Sequence, residues 1–207
     1  MNKFLLKLAL RLHTFLYKVI SVLSIKNENG THPKHRLMQY HRFFSDNLEL
    51  NNRVLDIGCG NGELAFDISK RVAQVTAVDI DPAKIAVATK KYVGPNIVYR
   101  VADATKDLGN ETFDVVILSN VLEHIEHRVD FLKSIKPLAQ KFLIRVPMFD
   151  RDWIPLYKKE LGLEWRLDLT HYTEFTEKTF RREIADADMH IESLTVQFGE
   201  IWSVIKA

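Results

Sequence analysis

The stretch Val54-Leu55-Asp56-Ile57-Gly58-Cys59-Gly60-Asn61-Gly62-Glu63-Leu64 limits what this chain can fold into more than any other. A short apolar run ends beside an acid, and three glycines follow at alternate positions. The run reads as a buried strand, and the residues after Gly62 as the start of a helix. Glycines in such a turn adopt dihedrals closed to other residues and let a ligand approach the main chain. In an open α/β sheet the turn lies at the carboxyl edge of the strands, where ligands bind. The helix N-terminus there offers free N–H groups to an anion, carboxylate or phosphate.

The rest of the chain fits that frame. Strands are predicted at Arg53–Ile57, Gln74–Val78, Asn96–Val101, Phe113–Leu118 and Lys141–Val146, with helices at Glu63–Arg71, Pro82–Tyr92 and Asp130–Leu138 between them. Phe113–Leu118 is apolar throughout, as in a strand covered on both faces. His190–Phe198 and Glu200–Lys206 are separated only by Gly199. A parallel pair needs a long crossover, so these two strands are antiparallel neighbours. The predicted fold is α/β: a doubly wound, mostly parallel, seven-stranded Rossmann-like sheet with a C-terminal antiparallel hairpin, preceded by an amphipathic helix.

Acids recur at successive strand ends. Asp79 closes the second strand in VTAVDIDP, about 20 residues after the glycines, where a carboxylate accepts hydrogen bonds from two ribose hydroxyls. Asp103 follows the third strand in VADAT, in reach of a base. One such Asp is as often a turn or helix cap. The ordered set of Asp56, the glycines, Asp79 and Asp103 points instead to an adenine nucleoside with a carboxylate tail.

With these residues the sequence resembles the class I S-adenosylmethionine-dependent methyltransferases, and within them the small-molecule group whose glycine motif reads D-x-G-x-G-x-G. Asp56, Gly58, Gly60 and Gly62 match it. The resemblance implies S-adenosyl-L-methionine as cofactor. Asp56 and the turn Gly58-Cys59-Gly60-Asn61-Gly62 would hold its methionine end, and Asp79 its ribose. Ile80 would pack on the adenine, flanked by Asp103 and Ala104. Ser119 and Asn120, at the exit of the fourth strand, would lie near the sulfonium and the acceptor. The group that methylates quinone precursors shows E-x-x-E-H just beyond that strand. Here Asn120, Glu123 and His124 stand in its place, so the first carboxylate is missing and no metal is expected. His32, His35 and His41 have no acid or cysteine to complete a metal site either.

Oxygen methylation benefits from a general base near the reacting atom. His124 is one candidate. His171, in LTHYTEFT, is the other, since that segment resembles the family's histidine-bearing stretch before its last helix. Thr176 reads as the N-cap of that helix, with Thr179 and Phe180 opening it. The segment HPKHRLMQYHRFF reads as a helix closing over the cleft, with Tyr40 and His41 lining it. Residues 147–176 are long for a connection and read as a substrate-side insertion. Trp153, Tyr157, Trp165 and Tyr172 are available there to stack on a ring, and Arg151, Lys158, Lys159 and Arg166 to pair with phosphate.

The chain divides into residues 1–33, a basic amphipathic helix with its linker, and residues 34–207, the catalytic domain. Residues 1–42 carry eight Lys and Arg against one acid, Glu28, while the remainder is net acidic. Lys3, Lys7, Arg11 and Lys18 interrupt the apolar run Phe4–Ile25, which argues against a spanning helix or a signal peptide. On a helical period they form one basic stripe opposite a wide apolar face. Residues 3–25 therefore suit an anionic membrane surface, docking on the body, or a second subunit of a homodimer. Cys59 is the only cysteine, consistent with a reducing, cytoplasmic compartment and, with the basic arm, a peripheral place on the inner face of a membrane.

The expected function is methyl transfer, to oxygen, on a small-molecule, glycan or lipid-linked acceptor. An NAD(P)-dependent oxidoreductase or epimerase is the alternative enzyme, and a non-catalytic nucleoside-binding partner subunit the alternative outside catalysis. Nucleic acid is not an expected substrate: the body is acidic, and Ser119-Asn120-Val121-Leu122 lacks the aromatic that stacks a flipped base.

Overall fold

The computed structural model describes residues 2–207; Met1, where the first segment begins, lies outside them. The chain runs α1 (Asn2–Asn27), α2 (Lys34–Met38), α3 (Tyr40–Asp46), β1 (Arg53–Ile57), α4 (Glu63–Ser69), β2 (Gln74–Asp79), α5 (Pro82–Lys91), β3 (Ile97–Val101) and β4 (Val115–Ser119). It continues with α6 (Arg128–Ile135), β5 (Lys141–Pro147), α7 (Trp153–Glu160), α8 (Glu177–Asp186), β6 (His190–Gln197) and β7 (Glu200–Lys206). Seven strands form one sheet in the order β3-β2-β1-β4-β5-β7-β6. The first five are parallel, and β7 enters antiparallel between β5 and β6. This is the predicted architecture, including the hairpin, whose turn is made by Phe198 and Gly199, both at positive φ.

Two apolar layers cover the sheet. In β4, Val116 and Leu118 join the layer that holds Leu132, Phe180 and Ile184, while Val115 and Ile117 join the one that holds Phe44 and Ile68. Apolar residues at the first four β4 positions, Val115 to Leu118, are what burial on both faces demands. Thr176 caps α8 as expected: its side chain accepts from the Thr179 amide at 3.1 Å, and Thr179 Oγ1 accepts from the Thr176 amide at 2.9 Å. A cap of this kind is worth about 1 kcal/mol.

Helix α1 stands apart from the sheet and runs two residues into the expected linker. Its attachment to the body includes buried Leu10, a hydrogen bond from Lys158 to Thr14 (2.8 Å) and one between Ser21 and His32 (3.0 Å). Phe4, Leu5, Leu8, Leu12, Phe15, Leu16, Tyr17, Ile20, Val22 and Leu23 are exposed. The helix is long and apolar enough to cross a membrane by length and composition alone.

Candidate active site

The glycine turn sits between β1 and α4, with all three glycines at positive φ. Neighbouring side chains exclude a Cβ at two of them. A Cβ on Gly62 would lie 2.8 Å from Ala88 and from Tyr99, and one on Gly58 would lie 2.7 Å from Val121. The protein itself fills those places. A Cβ on Gly60 would meet nothing within 4 Å, so here the φ of +56° is the constraint and the space beside the backbone is open.

Beside the turn lies a cleft of ≈ 520 Å³ lined by Gly58, Asp79, Ile80, Asp103, Ala104 and Asn120, among others. Asp79 ends β2 buried. Its Oδ2 accepts from the Gly60 amide (2.9 Å) and its Oδ1 from the Asp81 amide (2.9 Å), which fixes the carboxylate at the rim with lone pairs to spare. Lys84 Nζ stands 3.8 Å from it. Ile80 is 76% exposed, an apolar side chain held out over the cleft. Ala104 is buried in the wall. Asp103 is on the wall too, but its carboxylate is engaged locally by Thr105 (2.7 Å to Oγ1) and Lys106 (2.8 Å), which hold it down near 2.

Asp56 is buried under the turn, and its Oδ2 has no hydrogen-bond partner. Burial, and then the charge of Asp79, push its carboxyl up to about 8. An unsatisfied buried carboxyl beside an open glycine turn is a place made for a cationic donor such as an α-ammonium group. Cys59 is half-buried in the turn, and burial raises its thiol, so it is not a reactive thiolate. Ser119 faces away from the cleft, 3.4 Å from the Arg145 guanidinium. Asn120 follows at φ +57° with its Oδ1 buried and unpartnered. Strain in a non-glycine residue together with an orphan acceptor marks a functional position. These residues fit a nucleoside with an aminocarboxylate tail.

A second chamber, of ≈ 600 Å³, adjoins the first, and Asn120 and His124 line both. His124 lies in a 3-10 turn (Leu122–His124) after β4, its ring 4.8 Å from that of His171 in a T-shaped contact. Asp168 Oδ1 accepts from Thr170 Oγ1 (2.9 Å), and Thr170 Oγ1 lies 3.0 Å from His124 Nδ1. With the threonine proton committed to Asp168, Nδ1 donates and Nε2 keeps the lone pair. Burial, then His171, lowers the His124 pKa, so the ring is neutral at pH 7. His171 is buried, its Nδ1 on Glu174 at 3.0 Å.

Glu123 is buried in the same chamber with neither carboxylate oxygen partnered, and burial pushes it up to about 8. Donor atoms of Glu123, His124 and His171 lie within 4.8 Å of one another, a spacing able to hold a cation. Sequence spacing hid this group, because the loop that carries His171 folds back and its Tyr172 amide donates to the Glu123 carbonyl (2.8 Å). The histidines at 32, 35 and 41 take separate hydrogen-bond partners, Ser21, Tyr40 and Asp67 respectively, although the rings of His35 and His41 meet edge-on at 5.4 Å.

Other expectations are corrected. Tyr40 is buried in the core, its ring 3.8 Å from the Arg145 guanidinium, and His41 bonds to Asp67 on α4 at 2.7 Å, so neither lines a cleft. Of the four insertion aromatics only Trp165 lines the chamber. Arg151 is paired with Glu174, Arg166 with Glu164, and Lys159 lies over Phe149 and Trp165, so these three cations are engaged. Sequence reasoning missed Lys84, Val121, Phe131 and Thr170 on the cofactor side, and the part played by α1 in the chamber wall.

Residues 55–141 match a family model described as a methyltransferase domain. An uncharacterized methyltransferase of Mycobacterium bovis is 42% identical over 74 residues, covering 35% of this chain and 38% of the relative. The ubiquinone biosynthesis O-methyltransferase of Pseudomonas fluorescens is 36% identical over 98 residues, covering 44% of this chain and 42% of the relative. The matches thus span about two fifths of these relatives' own length. Among solved structures, magnesium protoporphyrin IX methyltransferase from Synechocystis with bound SAH superposes with a TM-score of 0.66 at 19% identity, over 84% of this chain and 82% of that one. A SAM-dependent methyltransferase of Methanosarcina mazei gives 0.62 at 18% identity, over 79% and 96%. These structures share the fold.

Proposed function

Starting from a chain that carries a class I S-adenosylmethionine-dependent methyltransferase domain, we propose that the whole protein methylates a hydroxyl oxygen of a small-molecule, glycan or lipid-linked acceptor. The observation that carries this reading is the seam between the two clefts, where Asn120 and His124 face both. The cofactor supplies an electrophilic methyl group, and the protein supplies position and proton handling.

Each residue has a task in this reading. Asp56 takes the ammonium of the cofactor's tail, the open backbone at Gly60 admits that tail, and Asp79 takes the ribose. Ile80 and Ala104 cover the base. On the acceptor side, His124 Nε2 accepts the hydroxyl proton, and Thr170 with Asp168 holds the ring in the tautomer that leaves Nε2 free. His171, tied to Glu174, supports the His124 ring edge-on. His124→Ala should lower kcat by about 10²-fold or more, the scale of general-base catalysis, with a much smaller effect on cofactor affinity. A kcat within a factor of two of wild type, measured by transfer of a labelled methyl group, would remove His124 from the mechanism.

Helix α1 belongs to the same reading. Its charged face holds Lys3, Lys7, Arg11 and Lys18 with no acid before Glu28, and its apolar face is exposed. That combination suits an anionic membrane surface on the cytoplasmic side, with the apolar face in the headgroup region.

A further inference from the structure

One wall of the acceptor chamber is more cationic than methyl transfer requires. Helix α1 gives it Thr14, Lys18 and Ser21, facing Lys34 at the start of α2 and Lys158 on α7. Lys158 is 7% exposed, and its Nζ bonds to a neutral partner, Thr14 Oγ1. No ion pair is found for Lys18, Lys34 or Lys158 among the described residues. The arginines nearby are engaged, Arg145 by Glu200, Arg151 by Glu174 and Arg166 by Glu164. Of the chamber's acids, Glu200 is paired with Arg145, whereas Asp152 and Asp168 bond only to neutral groups, the Ile154 amide and the Thr170 amide and hydroxyl, and neither forms an ion pair with these lysines. A buried ammonium without an ion pair is costly, and burial with the Arg151 charge holds Lys158 below the usual lysine range against the opposing pull of Asp152.

We propose that Lys18, Lys34 and Lys158 form a phosphate site, so that the acceptor is a phosphate-bearing molecule whose anionic group docks between α1 and α7 while its hydroxyl reaches His124. Three ammonium groups from three separate elements suit an anion with several oxygens and more than one charge, and the Ser21 hydroxyl adds a donor, whereas Thr14 gives its proton to the Leu10 carbonyl. The inference rests on the methyl-transfer reading for the acceptor's role, but the site itself stands on the lysines. It also makes α1 part of the binding site.

The test is calorimetry of the full chain with inorganic pyrophosphate, beside a titration with S-adenosylhomocysteine. Wild type should bind pyrophosphate. Lys18→Met, on an exposed helix face, should weaken it about threefold or more, and Lys34→Met with Lys158→Met at least tenfold, with S-adenosylhomocysteine affinity unchanged. Pyrophosphate that fails to bind wild type, or binds the double variant equally, overturns the proposal. A vesicle arm separates the sources of phosphate. If these variants lose sedimentation with phosphatidylglycerol vesicles while no protein binds pyrophosphate, the lysines serve a lipid headgroup and the acceptor assignment falls. If wild type binds pyrophosphate but not S-adenosylhomocysteine, the phosphate site stands and the methyl-transfer reading fails.

Discussion

Asp56 and Glu123 are each placed where a carboxylate is hardest to keep charged, and each has at least one oxygen without a partner. Burial raises both to about 8, well above the range near 4 expected in the unfolded chain. Such a group binds its proton more tightly folded than unfolded. It therefore costs nothing below pH 4, and costs progressively more as pH rises toward 8. Asp56→Asn should thus raise Tm at pH 8 and leave it nearly unchanged at pH 4, while weakening S-adenosylhomocysteine binding. Each kcal/mol corresponds to about 2–4 °C in a chain of this size. Scanning fluorimetry at the two pH values reads the sign; a lower Tm at pH 8 would mean that Asp56 is stabilised as an anion. Glu123→Gln should behave alike in stability. At this scale the sequence showed which residues matter but not how they are engaged. The glycines announce a tight turn, yet only contact with Ala88, Tyr99 and Val121 shows that two of them yield to the protein itself. Asp103 looks identical to Asp79 in sequence, but the following Thr105 and Lys106 draw its carboxylate into its own turn.

Elements with a strong local pattern were readable, and those whose environment is set by distant chain were not. The apolar β4 and the Thr176 cap follow from residues within a few positions of each other. Glu174 does not. It receives Arg151, the Leu167 amide and His171 from three parts of the insertion, and so neutralises Arg151, a cation that read as available. Helix α1 shows both sides. Its two faces are plain in the sequence, whereas its place in the chamber wall depends on the pairing of Thr14 with Lys158 across the chain. Deletion of residues 1–27 should release the protein from phosphatidylglycerol vesicles in a sedimentation assay and leave S-adenosylhomocysteine binding intact. Unchanged sedimentation would assign the helix to the body or to a second subunit instead.

Across the whole molecule, strand order and site are one argument. The order β3-β2-β1-β4-β5 puts the ends of β1, β2, β3 and β4 on one edge, so Gly58, Asp79, Ala104 and Asn120 converge although they span more than 60 residues of chain. The same edge continues toward β5 and β7, where the insertion and α1 enclose the second chamber. Two ligand spaces sharing Asn120 and His124 are what a group transfer between two molecules needs. Calorimetric titration with S-adenosylhomocysteine of the full chain and of its Asp79→Ala variant, with circular dichroism to confirm the fold, addresses this most directly. Wild type should bind one equivalent, and the variant at least tenfold more weakly with an unchanged spectrum. Equal affinity in the variant, or no binding by wild type, would contradict the cofactor cleft described above.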